Sequence, residues 1–393
     1  MRTRASIDSD VDLFCDEALD DPYPHYAALR DLGPASYLTR HQLWFLSRYE
    51  QVREALLDWK TFSSAEGVGL NEIINEAWAE TVVAADPPVH TERRRVYSEQ
   101  LSPRHIKPVT DTIDRRADEV ADRLVKQGSF DAVVDFAQDL PVHVVMDLIG
   151  WPMEGRDQLL SWASGSFNAA GPQNERMLAS LPRLQGLVTY LTEVATADNL
   201  TPGSFGAAVY EAVERGNIAA EDAIGLMIGY ATPALDTTIN AIGSGMWLFA
   251  THPDQWDAVR ADPTLIPGAF NEIVRLESPV QFFSRVTTAE VDLGEGVVLP
   301  AGARVLHSYG SANRDERHFD SADTFNVHRN PTDHLGFGYG AHGCPGQALA
   351  RLEAHALFRA LAERVERIEL AEVPVRDLNN ITRGFAQVPV RVG

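Results

Sequence analysis

The run Phe337-Gly338-Tyr339-Gly340-Ala341-His342-Gly343-Cys344-Pro345-Gly346 reads Phe-Gly-x-Gly-x-His-x-Cys-x-Gly. Glycines at those places allow a tight loop that side chains would obstruct. Such a loop holds a thiolate rigidly and turns backbone N–H groups toward the sulfur, which tunes its basicity. One cysteine on a short loop that enters a helix suits axial ligation of a haem iron, where thiolate pushes electron density toward O–O cleavage. A Gly-rich turn around an inert buried cysteine is the alternative for any lone cysteine. Five fixed partners within ten positions, Phe337, Gly338, Gly340, His342 and Gly346, set that alternative aside.

Three other constellations fit a haem site. Ala234-Leu235-Asp236-Thr237-Thr238 places a carboxylate beside a hydroxyl, which can relay protons to a reacting oxygen. Pro233 offers no N–H to the carbonyl of Gly229, so a kink or widened turn is expected there. Haem carries two propionates that need Arg or His partners. His90 and Arg94 are four apart and share a helix face; Arg285 and His342 are further candidates. Glu272 and Arg275, three apart, would alone be a surface pair worth about 0.2–0.5 kcal/mol. Arg329, shortly before the cysteine loop, adds a second cation for Glu272, and a buried Glu between two Arg can lock the chain in front of Cys344.

Helical patterns must position these groups. Pro22–Leu32, Pro103–Gln127, Glu154–Ala170 and Gln347–Arg367 all read as helices, with Gly171-Pro172 as a stop after the third. Ala220–Ala250 reads as one helix of about 46 Å. Short strand runs fall at Tyr37-Leu38, Trp44–Leu46, Val291–Val305 and in the tail around Pro389, Val390 and Val392. The expected architecture is a single mostly helical domain over 1–393 with a minor β region.

Composition excludes several classes. A formal charge of −22 argues against nucleic acid, whose phosphates need a basic surface. The start, Met1–Ser6, is polar and lacks the apolar stretch of a secretory leader. Ala223–Pro253 holds Asp236 as its single charge, but Thr232, Pro233, Asp236, Thr237, Thr238 and Asn240 sit at its centre, the costliest depth for a membrane span. A helix buried in a protein core is the better reading. Cys15 and Cys344 lie far apart, so no disulfide is expected and a reducing cytoplasm fits.

Taken together these residues resemble the cytochrome P-450 superfamily over nearly the whole chain. The cysteine loop matches its haem signature, Glu272, Arg275 and Arg329 its Glu-Arg-Arg triad, and Asp236-Thr237 its acid-alcohol pair. The resemblance implies a mainly α, triangular fold with haem b (iron protoporphyrin IX) between the long helix and the cysteine loop, bound by Cys344. It also implies activation of O2 with two electrons. With no fused reductase evident, those electrons are expected from an iron–sulfur ferredoxin and its NAD(P)H-dependent reductase, docking near Cys344 where Arg104 and Arg351 supply positive charge. One departure stands out: Pro233-Ala234 replace the usual small residue and glycine, which narrows the room near iron and is expected to alter coupling or substrate fit.

Within the superfamily, Ser64–Leu70, Ala85–Pro88, Phe167–Ala169, Leu276–Gln281 and Gly310–Asp315 look like the bacterial group that oxidises para-substituted benzoates. That likeness implies an aromatic slot from Leu101, Phe167, Val280 and Phe283. Arg95 and Ser98, on another helix face from His90 and Arg94, can then hold the substrate carboxylate. Three positions differ from the group: Gly229 replaces a serine, Ile228 an arginine, and Ala170 a second phenylalanine that would have narrowed the slot. The expectation is a monooxygenase that O-demethylates 4-methoxybenzoate-like acids to the phenol and formaldehyde. A terpenoid or polyketide hydroxylase and a haem protein without turnover are the rivals; the intact Asp236-Thr237 pair speaks against the second.

Overall fold

A computed structural model describes residues 7–393, apart from the side chain of Ala231; the polar stretch Met1–Ser6 lies outside the described residues. Seven helices carry the argument: α1 Val89–Gln100, α2 Thr110–Gln127, α3 Leu159–Ala169, α4 Glu175–Thr189, α5 Asp222–Thr251, α6 Ile266–Glu277 and α7 Gln347–Ala362. Helix α5 runs through the middle, with Leu226, Leu235, Ile242, Met246 and Phe249 almost fully buried. It packs against α3, α6, α7 and the C-terminal strands. Its only charges, Asp222 and Asp236, fit that position: a helix covered over most of its surface has few places where an ion stays hydrated.

The β region is small and peripheral. Strands β1 Asp8–Ser9, β2 Ala35–Leu38, β3 Leu43–Leu46, β4 Phe62–Ser63, β5 Phe282–Thr287 and β6 Arg304–Ser308 form one sheet in the order β1-β2-β3-β6-β5-β4. A separate hairpin, β7 Val375–Leu378 and β8 Arg383–Gln387, lies along α5. On β5, Phe283 pairs with His307 of β6 and Arg285 with Val305. Paired residues share a face and the pleat repeats every two, so Phe283 and Arg285 point the same way, into the centre of the molecule.

Several boundaries differ from the sequence expectation. The expected Pro103–Gln127 helix is split into Pro103–Ile106, a tighter turn at Lys107–Val109, and α2, because Pro108 brings no N–H to a continuous ladder. Helix α3 starts at Leu159 rather than Glu154; Gly155 has φ 78°, outside the helical region. Helix α7 ends at Ala362, short of Arg367. The Val291–Val305 signal resolves into a two-residue ladder, Val291–Asp292 with Val298–Leu299, followed by β6. No break appears at Pro233: α5 stays helical through it, and the Thr237 hydroxyl bonds the Pro233 carbonyl at 2.8 Å.

Candidate active site

The cysteine loop is shaped by two backbone facts. The Cys344 N–H donates to the Phe337 carbonyl at 2.8 Å and closes the loop on itself. Gly340 has φ 68°, and a Cβ there would stand 2.6 Å from the Leu56 carbonyl oxygen. A side chain at that position is excluded by conformation and by space together. Burial pushes the Cys344 thiol upward, while the backbone N–H groups of Gly346 and Gln347 and the guanidiniums of Arg94 and Arg351 favour the thiolate. Those dipoles and charges are what a sulfur ligand needs to stay ionised in a dry site.

The loop is braced from behind. Glu272 and Arg275 are fully buried and bidentate, at 2.7 and 2.9 Å, and Arg329 adds a contact to Glu272 at 3.1 Å. Arg275 also donates to the carbonyls of Asn313 and Ala322, each at 2.7 Å, so the triad ties α6 to the segment preceding Cys344. Sequence spacing put these three together, and the structure joins them.

A cavity of about 290 Å³ opens between this loop and α5. Cys344, Phe337, His342 and Gly346 line one side, with Arg94 and Arg285 at its edge. Pro233 and Thr237 line the α5 side, and Leu101, Phe167, Val280 and Phe283 complete an apolar wall. His90 stands behind the lining, its ring 4.3 Å from that of His342.

Haem fits this cavity on the structure's own terms. Both ring nitrogens of His90 and Nε2 of His342 are buried without a hydrogen-bond partner. Arg94 and Arg285 bond only backbone carbonyls: Arg94 that of Gly343, Arg285 those of Ala55, Leu56 and Phe62. Among the described residues neither forms an ion pair. Burial lowers His90 to about 4 and His342 to about 2, helped by the neighbouring guanidiniums. Two cations without ion-pair partners, Arg285 buried and Arg94 half-buried, and two unsatisfied imidazoles are a cradle awaiting anions, which the two propionates would supply.

The substrate-anchor expectation is corrected. Arg95 and Ser98 lie on the exposed face of α1 and do not line the cavity. The inward face of α1 is held instead by His90, Arg93, Val96 and Tyr97. Arg93, not singled out in the sequence, pairs with Asp222 at 2.7 Å and pins the start of α5. Ala170 is fully buried and does not line the cavity; its carbonyl accepts the Leu70 N–H at 2.8 Å. At Gly229 a Cβ would stand 2.2 Å from the Tyr97 hydroxyl, which donates to the Leu226 carbonyl. Tyr97 thus takes the place a side chain at 229 would occupy, and Ile228 beside it is apolar.

Asp236 and Thr237 part company. Thr237 lines the cavity, whereas Asp236 faces the β7–β8 side and accepts from Thr382 at 3.0 Å. A further buried acid was missed: Glu353 on α7 lines the cavity, its Oε1 has no partner, and burial pushes it up to about 8. The sequence held the signal, since Glu353 falls on the apolar stripe of Leu349, Ala356 and Leu357.

A cysteine held by backbone N–H groups, a cationic cradle at the cavity's edge and a long helix with an alcohol facing it define a haem-thiolate protein. The comparisons agree. The family described as Cytochrome P450 matches residues 219–391. The chain is similar to cytochrome p450 CYP199A2 of Rhodopseudomonas palustris, 39% identical over 97% of this chain and 93% of that one. It is 31% identical to a beta-dihydromenaquinone-9 omega-hydroxylase of Mycobacterium bovis, over 98% and 78%. Among solved structures, CYP109E1 from Bacillus megaterium in complex with testosterone matches with a TM-score of 0.86 at 25% identity, covering 96% and 99%. The chain belongs to the cytochrome P450 family and is a cytochrome P450 monooxygenase with haem b as its cofactor. Among the described residues no helix is long and apolar enough to cross a membrane.

Proposed function

We propose that this monooxygenase O-demethylates an uncharged para-methoxy aromatic compound, releasing the phenol and formaldehyde. The observation that supports it is the division of charge in the cavity. Its cationic side chains, Arg94 and Arg285, belong to the propionate cradle, and the wall of Ile228, Gly229, Tyr230, Thr232, Pro233 and Ala234 with Leu101, Phe167, Val280 and Phe283 offers no spare cation. A flat ring enters such a slot, but a carboxylate loses its hydration there with at most the neutral Tyr230 and Thr232 hydroxyls to meet it and no counter-charge. The ring part of the benzoate expectation is kept and the acid part dropped.

When bound, haem supplies oxygen activation at the Cys344-ligated iron. His342, Arg94 and Arg285 hold its propionates, with His90 backing His342. The chain's remaining work is positioning and proton supply. Phe167, Val280 and Phe283 restrict the ring to one plane, so the substituent at its far end is the group presented for oxidation. Thr237 holds a hydroxyl at the cavity wall, and Asp236, one residue away, stores a proton for it. Electrons come from a ferredoxin and its NAD(P)H-dependent reductase, docking on the Cys344 side, where Arg351 lies half-buried over the Phe337 ring at 4.6 Å.

The test is a haem spin-state titration with 4-methoxytoluene and 4-methoxybenzoate, followed by NADH-driven turnover with formaldehyde measured. The neutral compound is expected to bind more tightly and to give formaldehyde in step with NADH. Tighter binding of the benzoate would reject the uncharged-substrate reading, and no shift with either would reject the aromatic one.

A further inference from the structure

Asp236 does not line the cavity, yet it keeps accessible surface. Its Oδ2 accepts from Thr382 Oγ1 at 3.0 Å and from Asn240 Nδ2 at 3.4 Å. The Thr382 contact turns the carboxylate toward the hairpin. In that hairpin Asp377 of β7 is paired directly with Gly384 of β8. Directly opposed residues of an antiparallel ladder project from the same face. A Cβ on Gly384 would stand 2.0 Å from Asn240 Oδ1. The shared face is therefore the one laid against the α5 turn that carries Asp236 and Asn240, which are four apart on one side of the helix. Asp377 points at that turn, and it is half-buried with surface of its own open to solvent.

We propose that Asp377 is a positioning and relay residue of the proton route, a second carboxylate that takes protons from solvent and hands them to Asp236. It rests on the reading above that Asp236 feeds Thr237. The transfer moves a proton only: the Asp377 carboxyl O–H breaks as the Asp236 O–H forms, and Asp377 is reprotonated from water. Gly384 is part of the device, because any side chain there would push the hairpin off Asn240.

The surrounding charges favour this exchange. Burial first, and then the Asp377 charge, push Asp236 up to about 7, while Thr382 and Asn240 oppose the rise. Asp377 is itself raised by burial and drawn back by Arg183 of α4. The neighbouring cation on β7, Arg376, is committed to Glu277 at 2.9 Å and lies over the Phe385 ring. Two carboxylates close together share protons readily near neutrality, because ionising one disfavours ionising the other.

The experiment compares the native holoenzyme with Asp377→Asn, Asp377→Glu and Asp236→Asn. Infrared difference titration reads the protonated carboxyl of Asp236, identified as the band lost in Asp236→Asn. In Asp377→Asn that titration is expected to move to lower pH by about one unit. The basic limb of NADH-driven 4-methoxytoluene turnover should move with it, and turnover at pH 8 should fall roughly tenfold, within the range general acid catalysis supplies. Asp377→Glu should restore both. An unmoved band in Asp377→Asn overturns the proposal, and so does a moved band with an unchanged pH profile. Failure of the substrate reading is separate: the native enzyme would not turn over 4-methoxytoluene at any pH. The profile would then be followed as O2-dependent NADH consumption with the reductase system, and the infrared band would still be compared between native and Asp377→Asn.

Discussion

The wall that carries Cys344 and the wall formed by Ile228, Gly229, Tyr230, Thr232, Pro233 and Thr237 face one cavity but differ in charge. On the cysteine side, Arg94 and Arg285 bond only backbone carbonyls and form no ion pair among the described residues, and ring nitrogens of His90 and His342 are without partners. On the helix side the polar groups are neutral: the Tyr230 and Thr232 hydroxyls are buried without partners, and no cation lines the wall. Ile228 carries no charge, and the space at Gly229 is taken by a Tyr97 hydroxyl already bonded to a backbone carbonyl. Cations without a counter-ion mark a surface built for a fixed anion, and a wall that carries no cation offers an incoming carboxylate no counter-charge. The cofactor side is therefore generic to the fold, and the substrate side is particular to this chain.

The sharpest way to break the comparison is Cys344→Ser. It is expected to abolish NADH-driven turnover and the far red-shifted absorption of the reduced, carbon-monoxide-treated protein; full activity would end the haem-thiolate reading. Next comes the brace behind the loop. Glu272→Gln leaves Arg275 fully buried without its counter-charge, at a cost of about 3–5 kcal/mol, read from denaturant unfolding of the holoenzyme. Gly340→Ala puts a side chain at φ 68° against Leu56 and should cost about 1–3 kcal/mol by the same measurement.

Two smaller changes sharpen the substrate side. Ile228→Arg supplies the missing cation and should raise 4-methoxybenzoate affinity about tenfold, roughly 1.4 kcal/mol, in a spin-state titration. An unchanged affinity would mean that the wall does not set charge preference. Arg95→Ala, on the exposed face of α1, should change benzoate binding and stability by less than about 0.5 kcal/mol. A large loss of benzoate binding there would restore the anchor that the structure has removed.

Residues whose partners lie within a turn or a loop were legible in advance. The cysteine loop, the long apolar helix and the Glu272–Arg275 spacing are local patterns, and the structure places each as expected. Helix faces were harder. Sequence spacing separated Arg95 and Ser98 from His90 and Arg94 correctly, but which face looked inward depended on what packs beside α1. Arg93 and Tyr97 took the inner positions by pairing with Asp222 and by filling the space above Gly229. Asp377 gave no sequence signal at all, because its relation to Asp236 passes through a hairpin register and a glycine contact.

The order of residues alone determined that a cysteine would be held by glycines before a helix, that α5 would be buried, and that two cations and two histidines would be available near it. Those outcomes follow from backbone conformation and periodicity, which act over a few residues. Tertiary packing decided which side chains reach the cavity, which are capped by a neighbour, and which carboxylate Asp236 senses. Burial and long-range electrostatics depend on segments far apart in the chain, so they exist only once the fold has brought those segments together.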